Sequence, residues 1–350
     1  MTIHEAAEKW GISNSRLARL CREGRIVGAE KVKKSWMIPA NAEYPADGRV
    51  KASRHTARKT QLLPLPIGIS DYRKASAEYY YIDKTLMIRD FLDEVPMVSL
   101  FTRPRRFGKT LNMDMLRTYF EKTDEDTSRY FANRKIWACG ETYRAHQGKY
   151  PVIFLSFKDV KCRTWAETYD LIAMLISMEY KRHVELATTK NPDLDFYQKI
   201  TQGKADSNDF MLSLMMLSKM LHDHHGIEPM VIIDEYDTPI QQGHSCGFYD
   251  DVVLFIRNLF SGAFKDNKHL KYGFLTGILR VAKESIFSGL NNLKINSILD
   301  NRYSEYFGFT SDEVRQMAAY YGAGEKYDEI CEWYDGYRFG RTEIFNPWSV

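Results

Sequence analysis

Apolar and polar positions change rhythm several times along the chain. Four short, continuous apolar runs read as strands buried on both faces: Pro96–Phe101, Pro151–Phe157, Met230–Ile233 and Leu270–Ile278. Between them, apolar residues return at helical spacing over about 164–183, 207–223 and 249–265. Leu111, Met115, Leu116, Tyr119 and Phe120 keep the same spacing directly after the first run. Strands alternating with helices predict an α/β layer fold around a parallel sheet, with sites at the carboxyl ends of the strands.

The first forty residues follow another pattern. Thr2 and Glu5 have the spacing of a capping box, in which hydroxyl and carboxylate each satisfy a free amide at a helix start. Ala6, Ala7 and Trp10 form one apolar face and Gly11 ends the helix. Ile12 packs across the turn, and Ser13 caps a second helix with Leu17 and Leu20 inward. Arg16, Arg19 and Arg22 then share a solvent face. From Ile26 to Pro39 the alternation predicts a short hairpin, with Val32, Trp36 and Ile38 inward and Lys31, Lys33 and Lys34 near its tip. Helix, tight turn, basic helix and basic hairpin make a winged helix-turn-helix pattern over 1–40. This stretch resembles the excisionase-like and MerR-like DNA-binding modules in Ala6-Ala7, Gly11-Ile12-Ser13, Gly24-Arg25-Ile26 and Ser35 through Pro39. DNA is the expected partner, with Arg16 and Arg19 in a groove and Lys33 and Lys34 on phosphates. A solvated basic face on an accessory domain is the alternative. Residues 41–61 are polar and basic without apolar period, as in a linker.

Charge sharpens that division. Net charge is only +3, yet residues 1–60 carry 13 Lys+Arg against 6 Asp+Glu, and the remainder carries 36 against 40. A basic head on a slightly acidic body suits a polyanion partner for the head. With 350 residues, 44% apolar, the chain is expected to form two or three units. The opening Met1 through Glu5 lack the basic start and apolar stretch of a signal peptide, and no apolar run approaches the roughly 20 residues that span a bilayer. Five scattered cysteines without a C-x-x-C pair argue against a disulfide framework or a cysteine zinc site. A reduced, cytoplasmic protein without a membrane partner is expected.

Candidate chemistry concentrates at two strand ends. The first run enters Arg103-Pro104-Arg105-Arg106-Phe107-Gly108-Lys109-Thr110 and then a helix, the strand–loop–helix context of a phosphate-binding loop. In that reading Arg105 through Leu111 bind the nucleotide. Amides at the helix start cradle phosphates, Lys109 reaches the β and γ oxygens, and Thr110 binds Mg²⁺. Arg103 stands where the general pattern has glycine. The run Met230–Ile233 ends in Asp234 and Glu235, which suit a Mg²⁺ ligand and an acceptor for the attacking water. A buried strand that meets solvent at two acidic residues is the plainer reading. Thr276 and Arg280, at the end of the last run, offer a phosphate sensor and a neutraliser of transition-state charge.

These residues resemble the AAA-ATPase-like proteins of bacteria and archaea, often joined to a PD-(D/E)XK nuclease-like domain. The resemblance runs over about 62–350, from Leu65 through Tyr72 and Tyr81 through Thr85, the Arg103–Thr110 loop and Val231 through Pro239. It continues in Phe287 through Asn292, Trp333 through Gly340 and Asn346 through Ser349. Arg103 is usual in that family. The resemblance implies ATP and Mg²⁺ as cofactors and a structural role for Asp83-Lys84-Thr85. It leaves open whether Tyr72 or Tyr81 stacks on adenine, and whether Asn291 and Asn292 line the site. The one Glu-x-Lys, at Glu179, lies in a helical run, so the nuclease-like domain is expected only beyond Val350. His222, His224 and His225 read as helix-end caps.

The sequence therefore predicts a P-loop NTPase with a parallel sheet core over 62–310, a winged helix-turn-helix at 1–40 and a linker at 41–61. Residues 311–350 are expected as a helical lid or the start of a connection. The expected activity is Mg²⁺-dependent ATP hydrolysis associated with DNA. The alternative is a nucleotide-gated DNA-binding regulator with negligible turnover. A homo-oligomer is left open.

Overall fold

A computed structural model describes residues 1–24, 26–32, 35–40, 42, 62–278, 286–287, 290–334 and 336–350. Lys33, Lys34, Arg280 and all of the expected linker except Ala42 lie outside the described residues. The chain divides into two compact units, Met1–Gln61 and Leu62–Val350.

In the first unit, α1 (Ile3–Lys9) opens with the expected capping box and α2 (Asn14–Arg22) is capped by Ser13. The antiparallel pair β1 (Glu30–Val32) and β2 (Ser35–Met37) follows. Ala6, Ala7, Leu17, Leu20, Cys21, Ile26 and Ile38 make its small core. Arg16, Arg19 and Arg22 are exposed on α2. Val32, expected inward, is 51% exposed. With three-residue strands and, among the described residues, no further sheet to cover the hairpin, Trp36 and Ile38 are the strand-region residues that pack in the core.

The second unit is an α/β layer fold. After α3 (Tyr72–Glu78) and α4 (Leu86–Glu94), β3 (Val98–Thr102) leads into α5 (Lys109–Phe120). Two one-turn helices, α6 (Lys135–Ala138) and α7 (Glu141–Arg144), precede β4 (Val152–Ser156). Next come α8 (Trp165–Arg182), α9 (Leu194–Thr201), α10 (Ser207–His225) and β5 (Met230–Asp234). Then follow α11 (Thr238–Cys246), α12 (Tyr249–Phe264), β6 (Tyr272–Gly277) and β7 (Leu293–Asn296). The five strands form one sheet in the order β4-β5-β6-β3-β7, parallel throughout. Buried on both faces, β3, β5 and β6 read as the continuous apolar runs they are. One face packs on α8, α10 and α12, the other on α4 and α5.

This order puts β6 between β3 and β5, so the loop after β3 and the acidic end of β5 flank the same carboxyl edge. No helix among the described residues is long and apolar enough to cross a membrane.

Residues 311–350 depart from the expected helical lid. Helices α13 (Ser311–Tyr320) and α14 (Tyr327–Tyr334) are followed by β9 (Tyr337–Phe339) and β10 (Thr342–Phe345). These pair with β8 (Phe309–Thr310) in an antiparallel sheet ordered β8-β10-β9. Phe339 and Ile344 join the core beneath α5, so the segment is continuous with the unit it follows.

Candidate functional site

The loop between β3 and α5 is shaped by two residues with left-handed backbone, Arg106 at φ 69° and Gly108 at φ 77°. Gly108 is the N-cap of α5, so the helix starts with amides that have no partner within the helix. Phe107, expected to bind the nucleotide, is among the residues lining the cleft at this edge, with its ring packed into the core. The ring is buried at 4.9 Å from Tyr337 and 5.1 Å from Phe339, which anchors the loop on the C-terminal sheet. Arg105 and Arg106 stay exposed.

Arg103 explains why this loop dispenses with its first glycine. Its side chain is 0% exposed. Nη1 donates to the carbonyls of Thr102 at 2.9 Å and Asn296 at 2.7 Å, and Nη2 to Tyr303 at 3.4 Å. The guanidinium lies over the Phe307 and Phe339 rings. Arg103 thus points away from the phosphate side and ties the loop's entry to β7 and the C-terminal sheet.

Lys109 is buried, and its Nζ donates to the carbonyls of Arg103 at 3.1 Å and Pro104 at 2.9 Å. Burial pulls its ammonium below the usual lysine range, and the charges of Glu235, Asp234 and Asp237 oppose that pull. A phosphate oxygen would offer this ammonium a charged acceptor in place of two neutral ones.

Across the strand ends, Asp234 is fully buried and accepts from three hydroxyls. Thr110 Oγ1 lies 2.8 Å from Oδ2, Ser156 Oγ 3.2 Å from Oδ2, and Thr276 Oγ1 2.6 Å from Oδ1. Each hydroxyl comes from a different element, α5, β4 and β6, around β5. Ser156 was not singled out from the sequence. Its register opposite Asp234, at the end of a parallel apolar run, is the signal that marks it. Thr110 and Asp234 supply hard oxygen donors close enough to serve one ion, a set that fits Mg²⁺.

Glu235 is half-buried and has left-handed backbone, φ 52°. Two of the five described non-glycine residues with positive φ, Arg106 and Glu235, are at this edge; such backbone persists where the surroundings enforce it. What enforces it here is Thr276, whose Oγ1 accepts from the Glu235 amide at 3.1 Å while bonding Asp234. Thr276 is fully buried with its hydroxyl committed in both directions, so it positions Asp234 and Glu235 and does not reach a phosphate. Gly277 follows it of necessity, since a Cβ there would sit 2.6 Å from the Tyr236 ring.

A cleft of about 470 Å³ opens on this edge. Its polar lining includes Gly108, Lys109, Thr110 and Glu235, and its apolar lining Ile67, Ile69, Leu111, Phe309 and Trp348. Arg105 is not among the lining residues. Tyr81 lines the cleft, whereas Tyr72 is fully buried against Phe131 and has no face for a base. Asn292 sits at the opposite edge, donating to Met97 Sδ and the Phe264 carbonyl, away from the site. Lys84 is buried and donates to Glu313 Oε2 and the Glu305 carbonyl, each at 2.6 Å, which pins α13 beside the cleft. His222 pairs with His269, and no group of three metal-ligating side chains occurs among the described residues.

Comparison with known proteins agrees with the sheet and the loop. The profile of the predicted AAA-ATPase family matches residues 66–287, more than half of the chain. The chain belongs to this family. Membership points to ATP binding or hydrolysis. A protein of Azotobacter chroococcum mcd 1, described as an uncharacterized protein in the vnfD 5′ region, is 29% identical over 289 residues. The match covers 82% of this chain but only 51% of that protein, so the chain spans about half the length of this curated relative. No solved structure matches significantly. The family match ends before β7, so Asn296, Phe309, Phe339 and Trp348, which brace or line the site, lie beyond it.

Proposed function

We propose that this member of the family is a Mg²⁺-dependent ATPase. The observation that carries the reading is the joining of Thr110 to Asp234 at 2.8 Å, with Glu235 next in the chain and Lys109 buried beside them. Amides of Gly108 through Leu111 bind the phosphates and Lys109 neutralises them. Thr110 and Asp234 would hold Mg²⁺, which would supply Lewis-acid screening of phosphate charge. Glu235 orients a water and takes its proton as the water oxygen bonds to the γ phosphorus. The bond to the ADP oxygen breaks, and ADP leaves with the electron pair.

DNA contact through the N-terminal unit is the second part of the proposal. It is supported by Arg16, Arg19 and Arg22 lying exposed along one short helix beside an antiparallel hairpin.

Steady-state ATP turnover with and without duplex DNA tests both parts, using the wild type, Lys109→Ala, Glu235→Gln and Arg16→Ala/Arg19→Ala. Turnover abolished in the first two variants is expected. A stimulation by DNA that the arginine double variant loses is also expected. Tight ATP binding with wild-type turnover no faster than that of Glu235→Gln would replace the enzyme with a nucleotide-gated switch.

A further inference from the structure

The cleft is larger and more apolar than a triphosphate alone requires. One part of it, Gly108 through Thr110 with Glu235, carries amides, an ammonium and a carboxylate. The remainder is bounded mainly by apolar and aromatic side chains, among them Ile67, Ile69, Leu111, Phe309 and Trp348, with Lys84 and Asn112 as polar members. Apolar lining next to a phosphate cradle suits a flat, weakly polar group joined to phosphates. Trp348 is the largest aromatic surface there, and it is 55% exposed. Its indole already holds a planar group, because the Arg106 guanidinium lies 4.5 Å from the ring centroid. Arg106 belongs to the loop itself, in left-handed backbone, so its charge is within the loop's reach of an incoming phosphate. The segment bearing Trp348 begins at a buried strand end and makes a local turn. It follows β10, whose Ile344 and Phe345 are buried, and the Trp348 amide donates to Asn346 Oδ1 at 3.0 Å.

Resting on the ATPase reading, we propose that the apolar part of the cleft is a base subsite for a purine nucleotide and that Trp348, outside the family match, is its stacking wall. The base lies against the indole and opposite the Ile67–Ile69 segment, and Arg106 turns from the ring to the phosphates. Stacking rewards ring area, so a purine binds more tightly than a pyrimidine. The C-terminal segment thereby becomes part of substrate recognition.

Binding of ATP, CTP and inorganic tripolyphosphate to the full chain, as wild type, Trp348→Ala and Trp348→Phe, tests this by calorimetry. An alanine substitution at a stacking site is expected to weaken ATP about tenfold. It should bring ATP close to CTP and leave tripolyphosphate unchanged, while Trp348→Phe keeps most of the ATP affinity. Equal weakening of ATP and tripolyphosphate would overturn the subsite, since Trp348 would then act only by holding Arg106. Unchanged ATP binding by Trp348→Ala would overturn it too. Wild type that binds tripolyphosphate but no nucleotide removes the subsite and leaves a phosphate-binding loop. Wild type that binds none of the three removes the ATPase reading and the subsite together. Trp348 is half outside the fold, so loss of structure does not confound the variants.

Discussion

Two groups of buried carboxylates lie along the same sheet and are neutralised in opposite ways. At the open edge of the sheet, Glu121 and Glu179 share Arg182, which pairs with both. Glu179 Oε1 also accepts from the Phe154 amide at 2.7 Å, and Arg182 donates to the Val152 carbonyl. The end of α8 therefore closes the unpaired side of edge strand β4 with its own charges. Asp234, on the neighbouring strand β5, has side-chain hydrogen bonds only from hydroxyls among the described residues, and Lys109 reaches it by charge alone. The first group is complete within the protein. The second is bonded to neutral hydroxyls, the setting in which the proposed Mg²⁺ would find its ligands.

The largest expected effect belongs to the completed group. Arg182→Met removes the cation that Glu121 and Glu179 share, while Arg117 stays on Glu121 and His183 on Glu179. The cost should therefore reach at most about 3–5 kcal/mol, that of a fully broken buried pair. Urea unfolding at neutral pH reads this loss directly. The gap should depend on pH. Burial alone would raise Glu179, but its bonds to His183 and Arg182 outweigh that and take it down to about 2. An unfolded glutamate titrates near about 4.3. The folded value is the lower one, so this stabilisation is complete above about 4.3 and is lost as pH falls towards about 2. The variant and wild type should converge over that window. A gap of constant size would mean that packing of the Arg182 stem, and not its charge, holds the edge.

The open group should respond the other way round. Asp234→Asn keeps the shape and removes the charge. Its amide nitrogen cannot accept, but the facing hydroxyl can turn to accept from it, so folding stability should fall by about 1 kcal/mol, the scale of one hydrogen bond. ATP turnover should fall about 100-fold or more, the scale of losing a preorganised electrostatic contact. Thermal unfolding beside steady-state turnover separates the two. Retained turnover would reduce Asp234 to a strand end that meets polar neighbours, and the contrast between the groups would vanish.

How much of this was open to a reader of the sequence follows from the range of the interactions. The apolar runs 98–102 and 230–234 announce buried parallel strands because both faces are covered, and the helices between them carry their own caps, as at Thr164 and Asp206. Gly108, Lys109 and Thr110 are consecutive, and Asp234 ends its own strand, so local pattern suffices to nominate them. The burial of Arg103 depends on carbonyls at Asn296 and Tyr303, nearly two hundred residues further on, which no window around it contains. Strands β8 to β10 have two to four residues each, too few to show a period, and so 311–350 reads as helical. Val32 alternates correctly yet has no layer to face. Thr276 ends its strand where a phosphate sensor is reasonable, and only the register of β5 beside β6 shows what its hydroxyl touches.

Thr276 also gives the finest test of the comparison, because it acts on the open group without carrying charge. Thr276→Val keeps the volume but removes the donor to Asp234 and the acceptor of the Glu235 amide. A hydrogen bond of this kind contributes about 0.5–1.5 kcal/mol. The loss should therefore lower turnover about tenfold, with KM for ATP unchanged because neither bond reaches the nucleotide. Thr276→Ser keeps the hydroxyl and should restore most of the rate. A structural role alone would lower the melting temperature without this rescue pattern in turnover. If Thr276→Val instead raises KM or costs as much as Asp234→Asn, the hydroxyl must reach the phosphates during the reaction. Glu235 would then have to give up the bond that holds its left-handed backbone, and the site would reorganise around the nucleotide.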